Sequence, residues 1–293
     1  GFCLVGSEMC IRDREYTEKH IDNVRKFAPQ AKIIYDTVDL HYLREQRKAK
    51  LKNSLELAEK ATQTKERELA LMTKADCTLV VSMMEKQMLE KENPHLQNIE
   101  FFNMPRDIYG TNKGFEDRKN ILFIGGFQHP PNVDAVLYFV QDIFPLIKEK
   151  VNDIKFFVIG SNAPEEILTL SSDDVIITGH VRDISEYFNS CKISVAPLRY
   201  GAGIKGKILT SFSYGLPVVA TTIAAEGMGI QDGYDVLIGH TSESFAQKVA
   251  SLYLDNKLWS KISQNSLETI SSKYSMEAVT NKFDELLRNI SVS

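Results

Sequence analysis

The sequence of 293 residues has little of three features that would assign it to a well-known class of protein. No apolar run approaches the roughly 20 residues that a membrane-spanning helix needs, so we expect a soluble chain. Its 4 cysteines form no CxxC pair, which argues against a disulfide scaffold and for a cytoplasmic, reducing location. A formal net charge of -4 argues against a general nucleic-acid binder, whose surface is usually basic.

The length predicts two domains, because one domain takes roughly 150 residues. The first residues, Gly1 to Arg14, match no regular element, and the string SEMCIRDR resembles a translated sequencing-adaptor tract. We therefore expect residues 1–14 to be non-native and the native N-terminus to be missing. Strands and helices alternate through the rest of the chain, which predicts an α/β fold with parallel sheets.

The N-terminal part is predicted to cover residues 15–108. A short strand, KIIY, leads into an acidic turn from Asp36 to Asp39. Residues 41–74 contain no Gly or Pro and predict one long helix, unbroken or broken, with Asp39 at its N-cap. The remaining elements are a strand at 76–81, a helix capped by Ser82, a strand at 99–102 and a linker at 104–120.

The second part is predicted to cover residues 109–274 and to be followed by a separate helix at 275–293. Its first strand, at 121–124, runs directly into Gly125 and Gly126. In doubly wound domains such a turn approaches phosphates, and the alternative is a sterically tight connection between strand and helix. Two helix caps are predicted here, by Asn132 and by the capping-box spacing of 183–186.

The strongest signal for chemistry lies in the stretch 193–228, where an apolar run stops at Pro197 and a loop follows. The glycines and basic residues of this loop are Arg199, Gly201, Gly203, Lys205 and Lys207. Glycines allow a tight turn with amide groups close to a ligand, and lysines add charge where a helix N-terminus already favours an anion. The loop therefore predicts a diphosphate site, and a turn with solvated lysines is the alternative.

Two groups of acidic residues are further candidates. Glu226 follows a strand at 218–220 and either binds sugar or ribose hydroxyls or is a solvated loop acid. Asp36, Asp39 and His41 form an acid–imidazole cluster that would act on an acceptor hydroxyl, although an N-cap is the simpler role for Asp39. The same cluster supplies too few ligands to predict a metal site.

Six stretches of the chain resemble GT-B glycosyltransferases of family 4, the "group 1" type. They are IIYDTVDLHYLRE, ADCTLVVS, ILFIGGFQHPPNVDAV, FFVIGS, GHVRDISEYFNSCKISVAPLRYGAGIKGK and YGLPVVATTIAAEGM. The last two are the most specific, and the resemblance extends from about residue 31 to 287. It implies two Rossmann-like domains, the C-terminal one for the nucleotide-sugar donor and the N-terminal one for the acceptor, with a final helix that returns to the N-terminal domain.

The resemblance also implies roles for particular residues. Gly125 and Gly126 would face the donor phosphates and sugar, and Val181 and Arg182 would lie along the base. The basic residues Arg199, Lys205 and Lys207 would lie near the diphosphate. Glu226 would lie close to the donor. Two glutamates that the family often carries correspond to Ala202 and Thr210, and its catalytic-cleft His corresponds to Asp36. The ribose contact, at the position of Thr210, and the acid–base role are therefore left open.

The family's N-terminal domain normally begins well before Ala31, so we expect the N-terminal domain to be incomplete. The implied activity is transfer of a hexosyl group from a nucleotide-diphosphate donor to a glycan or lipid-linked acceptor, with retention of configuration, in cell-envelope polysaccharide synthesis. The alternatives are a non-catalytic nucleotide-sugar-binding fragment and a GT-B epimerase or phosphorylase. The nucleotide-sugar donor is a substrate, so neither a cofactor nor a metal is predicted. Nucleic acid is not an expected partner. Peripheral membrane contact through the missing N-terminal part is left open.

Overall fold

The computed structural model describes residues 13–96 and 98–292, which separate into two compact units. Unit 1 contains the described residues up to Met104, the loop Gly201–Ile204 and the segment from Val279 onward. Unit 2 contains Pro105–Tyr200 and Lys205–Ala278. The tract 1–14, predicted to be non-native, lies outside the described residues except for its last two, which are helical.

Unit 1 is built on a parallel sheet, which has three strands in the described part of the chain, in the order β1-β2-β3. Its elements, in chain order, are α1 (Asp13–Phe27), β1 (Ile34–Asp36), α2 (His41–Lys52), α3 (Leu55–Lys74), β2 (Cys77–Val80), α4 (Met83–Glu92) and β3 (Ile99–Phe101). All four residues of β2 are buried, because this strand lies between the other two. The central position explains why its sequence is continuously apolar or small.

The predicted helix at 41–74 is broken into α2 and α3. Asn53 takes the left-handed conformation, with φ 49°, and Ser54 then caps α3 by accepting from Leu57 N at 3.3 Å. The prediction that Asp39 caps α2 is wrong, because Leu40 occupies the N-cap and has no side-chain cap. The predicted cap at Ser82 is confirmed, since its Oγ accepts from the backbone N–H of Glu85.

Unit 2 is built on a larger parallel sheet, with helices before and after its strands. Its elements are β4 (Ile121–Ile124), α5 (Pro130–Tyr138), a π-helical turn (Phe139–Ile143), α6 (Phe144–Lys148), β5 (Phe156–Ile159), α7 (Glu165–Leu168), β6 (Val175–Gly179), α8 (Ser185–Ser190), β7 (Ile193–Ala196), α9 (Gly206–Ser213), β8 (Val218–Ala220), α10 (Thr222–Ala225), β9 (Leu237–Ile238), α11 (Ser242–Leu254) and α12 (Asn256–Tyr274). The segment 105–120 that precedes β4 has no helix or strand.

Both predicted caps in this unit are wrong. Helix α5 begins at Pro130, before Asn132, with His129 at the N-cap, because proline is well suited to the first turn of a helix. Helix α8 begins with Ile184 at its N-cap and no side-chain cap, while Asp183 accepts from the backbone N–H of Ser185 at 2.9 Å in a local turn.

The strand order of the described sheet in unit 2 is β6-β5-β4-β7-β8-β9. The chain builds outward from β4 in one direction, then returns to the other side of β4 to place β7. The order is that of a doubly wound sheet, in which ligands bind outside the carboxyl ends of the strands where the order reverses. The residues that follow β4 and β7 therefore lie where a sheet of this type binds a ligand.

The last helix, α13 (Met276–Val292), is preceded by Ser275, which accepts from the backbone N–H of Ala278 at 3.2 Å. From Val279 onward the helix belongs to unit 1. There the ring of Phe283 lies 5.3 Å from that of Phe102, and the ammonium group of Lys282 lies 3.9 Å from the ring centre of Phe101. These contacts bury the apolar side of α13 against the end of β3.

Candidate functional site

The turn after β4 is held in place by the first turn of α5. The side-chain amide of Asn132 donates to the carbonyl of Gly126 at 2.7 Å. A Cβ on Gly125 would lie only 2.7 Å from Nδ2 of Asn132, so a side chain here would displace Asn132 from its present contacts. A Cβ on Gly160, after β5, would lie 2.2 Å from the carbonyl oxygen of Gly125. The glycines therefore let three chain segments approach closely at the end of the sheet.

Lys207, in the first turn of α9, reaches the same place. Its Nζ donates to Oδ1 of Asn132 at 2.7 Å and lies 5.1 Å from the ring centre of Phe123 in β4. Burial lowers the pKa of Lys207 to about 7, and the like charge of Lys205 adds to this effect. Lys207 has no carboxylate partner among the residues that the structure describes. A positive group of this kind is suited to receive an anion from solution.

Arg199, which follows β7, is already engaged by a side chain of α5. Its Nε and Nη2 donate to the two oxygens of Asp134 at 2.9 Å and 2.6 Å, in the bidentate geometry that guanidinium and carboxylate favour. The guanidinium also lies 4.8 Å from the ring centre of Tyr138. Because Asp134 offsets its charge, Arg199 contributes less to an anion site than Lys207 does, and its predicted role near a diphosphate stays a prediction.

A pocket of about 210 Å³ opens beside the Gly125–Gly126 turn. Its walls include His180, Val181 and Ile184, and they are mainly apolar. Val181 lines this pocket and Arg182 is exposed, and the predicted place of both residues along a nucleotide base stays a prediction. An apolar slot next to a basic side chain has the composition that a nucleotide site requires.

The other predicted donor residues of unit 2 lie on or next to short helices. Lys205 is the N-cap residue of α9 and its side chain is buried, with 8% of the residue exposed. Thr210 is half-buried in α9, and Glu226 is half-buried directly after α10. No intrahelical acceptor exists for the first N–H groups of α9, so the helix start carries partial positive charge beside Lys205 and Lys207.

The loop that follows Glu226 is fixed by one face of α12. Four side chains spaced by four residues bind this loop: Lys261 Nζ to Gly233 O at 2.9 Å, Asn265 Nδ2 to Tyr234 O at 2.8 Å, Thr269 Oγ1 to Asp235 Oδ2 at 2.8 Å and Lys273 Nζ to Gly229 O at 2.6 Å. Residues four apart lie on the same helix face, so these four side chains together hold the loop against α12. They restrict the backbone between Gly229 and Asp235, which begins three residues after Glu226.

The two glycines of the basic loop belong to unit 1, where they contact protein groups. The carbonyl of Gly201 accepts from Nη1 of Arg47 at 2.7 Å. The amide of Gly203, predicted to face an anion, instead donates to the buried carboxylate of Glu85 at 3.0 Å. Gly203 has φ +66°, and a Cβ there would lie 2.8 Å from Cβ of Asp39, so close packing explains the glycine.

The predicted acid–imidazole cluster also lies in unit 1, with a partner that the sequence did not reveal. Nδ1 of His41 lies 2.9 Å from Oε1 of the buried Glu68 in α3, and its Nε2 lies 3.5 Å from Oδ1 of Asp39. Asp39 also pairs with Arg44. Burial raises the pKa of Asp36, and a hydrogen bond from the backbone N–H of Val38 partly opposes this shift. His41 is thus placed between two carboxylates.

Three residues of these sites were missed by reasoning from the sequence: Asn132, Asp134 and Glu68. Asn132 was assigned to a cap, and Asp134 and Glu68 lie within helical patterns where acids are usually on the solvent side. The available signal was position, since Asn132 and Asp134 lie in the first helix after the glycine turn of β4. Among the described residues there is no group of three or more metal-ligating side chains, and no helix there is both long and apolar enough to cross a membrane.

Parts of the chain are similar to known proteins. Residues 118–255, which make up most of unit 2, match the family described as Glycosyl transferases group 1. A relative, the uncharacterized 44.6 kDa protein in the cps region of Klebsiella pneumoniae, is 23% identical over 169 residues, which are 55% of this chain and 44% of that protein. The chain thus spans less than half the length of this curated relative.

Solved structures resemble the chain more widely. Sucrose-phosphate synthase from Thermosynechococcus elongatus has a TM-score of 0.74 at 14% identity, over 98% of this chain and 80% of that one. HepE from Anabaena, in complex with UDP and glucose, has a TM-score of 0.71 at 12% identity, over 94% and 76%. TarM has a TM-score of 0.65 at 20% identity, over 75% of this chain and 46% of TarM.

The two parallel α/β units therefore have the GT-B fold of glycosyltransferases. Within that class, the segment 118–255 is a domain of the group 1 glycosyltransferase family. The fold that was named by resemblance is confirmed, and the family that was named matches the segment 118–255.

Proposed function

We propose that the protein is a glycosyltransferase that moves a sugar from a nucleoside-diphosphate donor to an acceptor. One observation carries the proposal: Asn132 joins the Gly126 turn to Lys207 where the strand order of unit 2 reverses. This arrangement supplies a close backbone approach, a lysine without a carboxylate partner among the described residues and an adjacent apolar pocket. Together they match the diphosphate and the base of a nucleotide.

The same groups are suited to the chemistry of transfer. When the bond between sugar and phosphate breaks, negative charge develops on the diphosphate and positive charge on the sugar ring. Fixed positive groups lower the barrier when they lie where the negative charge develops. In this proposal Lys205, Lys207 and the N-terminus of α9 receive the leaving diphosphate, while Glu226 lies beside the donor sugar. Retention of configuration is proposed from the family resemblance.

The ribose contact is the least specified part of the donor site. The position that corresponds to a family glutamate is Thr210, whose hydroxyl offers one donor and two acceptor sites instead of a carboxylate. In the proposed complex, affinity for the donor therefore depends chiefly on the diphosphate and the base. A nucleoside alone should bind weakly to this site.

On the acceptor side, we propose that Asp36, Asp39 and His41 bind or orient an acceptor hydroxyl. Asp36 is a candidate to take up a proton, because burial raises its pKa towards the range useful in acid–base catalysis. The relative from a cps region and the sugar ligand of HepE support a glycan or lipid-linked acceptor in polysaccharide synthesis. The donor is the only small molecule that the proposed reaction requires, without a cofactor or metal.

The proposal is tested by titrating the 293-residue chain with UDP and with GDP while recording protein NMR spectra. We expect the resonances of Gly126, Lys207 and Glu226 to shift with one of these nucleotides. Lys205→Ala should weaken the binding, and Lys150→Ala, which removes an exposed lysine of the same unit, should not. Absence of binding to any nucleoside diphosphate would refute the donor site.

Turnover is measured separately, with a radiolabelled nucleotide-sugar and analysis of every product. Release of the nucleoside diphosphate with transfer of the label to a glycan or lipid-linked acceptor supports transferase activity. Isomerisation of the donor without an acceptor would identify an epimerase, and consumption of phosphate would identify a phosphorylase. Binding without any turnover, in a longer chain that includes the upstream sequence, would identify a non-catalytic module.

A further inference from the structure

Helices α2 and α3 of unit 1 form an antiparallel hairpin. They pack against each other, and a connection of two residues, 53–54, joins them. Glu68 of α3 accepts from the backbone N–H groups of His41 and Tyr42 at the other end of the hairpin. Because α2 has 12 residues and a helix rises about 1.5 Å per residue, the connection lies about 18 Å from that contact. We call residues 48–56, on both sides of the connection, the hairpin tip.

The hairpin tip exposes two large apolar side chains. Leu55 is 84% exposed, the highest value for a large apolar residue among the side chains that the structure describes, and Leu51 is 39% exposed. Leu55 is the first residue of α3, and Ser54 caps this helix by accepting from Leu57 N, so the backbone at Leu55 is held in place. A single exposed leucine is common on a protein surface. These two leucines gain significance because the charge around them is also unusual.

The charged side chains of the hairpin tip are mainly basic. Its lysines are Lys48, Lys50 and Lys52, of which the last two are exposed and the first is half-buried. Among the residues that the structure describes, none of the three lysines takes part in an ion pair. Glu56 is the only acidic residue of the tip, so three lysines and one glutamate leave two positive charges. The tip is therefore positive in a chain whose net charge is -4.

The arginines of α2 are used differently from its lysines. Arg44 pairs with Asp39, and Nη1 of Arg47 donates to the carbonyl of Gly201 at 2.7 Å. These guanidinium groups serve contacts within unit 1, whereas the exposed lysines of the tip face solvent. The competing explanation is structural, because lysines in the last turn of α2 favour the negative end of its helix dipole. That role accounts for two of the lysines and leaves the exposed leucines unexplained.

We propose that the hairpin tip docks the protein onto a membrane that contains anionic lipids. Its lysines contact the lipid headgroups, and Leu51 and Leu55 enter the boundary between headgroups and acyl chains. Basic and apolar side chains on one surface bind a protein to an anionic membrane, because the attraction of each lysine adds to the burial of apolar area. With two leucines and three lysines the binding is reversible. The docking surface belongs to unit 1 alone, and it does not depend on whether unit 2 binds a nucleotide.

A bilayer fits the hairpin tip better than a second protein does. The apolar area of the tip comes from two side chains, which is far less than a specific protein interface of about 1,200 Å² requires. In a symmetric contact between two copies of the chain the same surface faces itself, so the lysines of the two tips would repel each other. An anionic bilayer instead supplies negative charge and an apolar layer at one surface.

The test measures sedimentation of the 293-residue chain with vesicles of equimolar phosphatidylcholine and phosphatidylglycerol, and with vesicles of phosphatidylcholine alone. We expect binding to the anionic vesicles that weakens as the salt concentration rises, and much weaker binding to the neutral vesicles. Two variants are compared with the original chain: Leu55→Ser, and the double variant Lys50→Gln with Lys52→Gln. Each should lower the affinity for the anionic vesicles about tenfold or more, because each removes apolar burial or headgroup attraction.

The matched control variants lie in unit 2. Leu254→Ser replaces a leucine that is 64% exposed, and Lys150→Gln with Lys257→Gln removes two exposed lysines. Both controls should bind the vesicles as the original chain does, and thermal unfolding checks that every variant is folded. A readout without any substitution uses bicelles that carry a gadolinium-chelating lipid. The methyl NMR signals of Leu51 and Leu55 should broaden in these bicelles, and those of Leu254 should not.

Three outcomes of these measurements would overturn the membrane-docking proposal. They are no binding of the original chain to anionic vesicles, equal binding to neutral and anionic vesicles, and equal losses in the tip variants and their controls. If Leu55→Ser instead lowers the mass of the particle in solution, measured by light scattering, the tip is an interface between copies and the proposal also fails. The tip variants should bind UDP or GDP as the original chain does, so failure of the donor site and failure of membrane docking are distinguishable.

Discussion

The ammonium group of Lys207 lies 2.7 Å from the side-chain oxygen of Asn132, so a neutral amide holds a lysine that has no carboxylate partner in the described chain. The orientation of the amide is fixed, because its nitrogen donates to the carbonyl of Gly126. The two residues meet because β4 and β7 are neighbours, which brings the helices that follow these strands to one end of the sheet. The pairing positions Lys207 without cancelling its charge.

Replacing Asn132 by aspartate should cancel that charge. A carboxylate next to Lys207 would raise the pKa of the lysine, which burial now lowers to about 7. The same carboxylate would repel a bound diphosphate, and we expect its affinity to fall about tenfold or more, the size of one lost charge-assisted contact. UDP or GDP titration measures this, with the exposed Asn152→Asp as the control of equal charge change. Equal affinities in the two variants would contradict the assigned role of Lys207.

Binding of a nucleoside diphosphate should be coupled to proton uptake by Lys207. With its pKa lowered from 10.5 to about 7, much of the lysine is neutral at pH 8, and an incoming diphosphate favours the charged form. Affinity should therefore rise as pH falls from 8 towards 6.5. Calorimetry in two buffers with different ionisation enthalpies measures the protons taken up. Lys207→Met should abolish the uptake and Lys150→Met should not, and an uptake that persists in Lys207→Met would contradict the prediction.

The same shift affects stability with a defined sign. Between about pH 7 and 10.5 the unfolded chain keeps a proton on this lysine that the folded chain has lost. Lys207 therefore makes the free energy of unfolding rise with pH across this window. Its unfavourable contribution to stability is fully present below pH 7. Urea unfolding at pH 6.5 and 9 should show a smaller pH dependence in Lys207→Met than in the original chain. The same pH dependence of stability in Lys207→Met and in the original chain would contradict the lowered pKa of Lys207.

The pair of Arg199 and Asp134 should stabilise unit 2 more than an exposed ion pair does. Asp134 has 8% of its side chain exposed and Arg199 has 37%, and their contact is bidentate. A double-mutant cycle with Arg199→Ala and Asp134→Ala should give a coupling free energy of about 1 kcal/mol, limited by the exposure of the arginine. The matched control is the pair of Lys148 and Asp174, which are 48% and 39% exposed. The coupling free energy of this control pair should be near zero. Equal coupling free energies in the two pairs would refute the prediction that the partly buried pair stabilises more.

Structural features that depend only on residues close together in the sequence were predicted well. The strand at 121–124, the glycines that follow it and the cap at Ser82 depend on neighbouring residues, and the structure has them as expected. The family motifs then supplied the fold, and they predicted the position of the donor site. The break between α2 and α3 was left open, because Asn53 and Ser54 interrupt a helix only through backbone conformation and capping.

The partners of the site residues depend on distances across the fold, which the sequence does not contain. Asn132 and Lys207 are 75 positions apart, and Arg199 and Asp134 are 65 apart. Asn132 was assigned to a cap because local rules favour that role for asparagine before an apolar run. The amide of Gly203 was assigned to an anion because glycine-rich loops often bind one, whereas here a buried glutamate from α4 takes it.

The last prediction concerns Glu68, whose buried carboxylate replaces the missing cap of α2. It accepts from the backbone N–H groups of His41 and Tyr42 at 3.1 Å and 3.2 Å, and from Nδ1 of His41 at 2.9 Å. Because a carboxylate only accepts, the hydrogen of the imidazole is held on Nδ1 and Nε2 is directed towards Asp39.

Glu68→Ala should therefore lower the free energy of unfolding by about 2–4 kcal/mol, since it leaves buried N–H groups unsatisfied at the start of a helix. The exposed Glu66→Ala on the same helix should change it by less than about 0.5 kcal/mol. Long-range 1H–15N NMR of His41 should show a hydrogen on Nδ1 in the original chain and in Glu66→Ala. A neutral ring with its hydrogen only on Nε2 in the original chain would contradict the contact, because Glu68 would then have no donor on the ring to accept from.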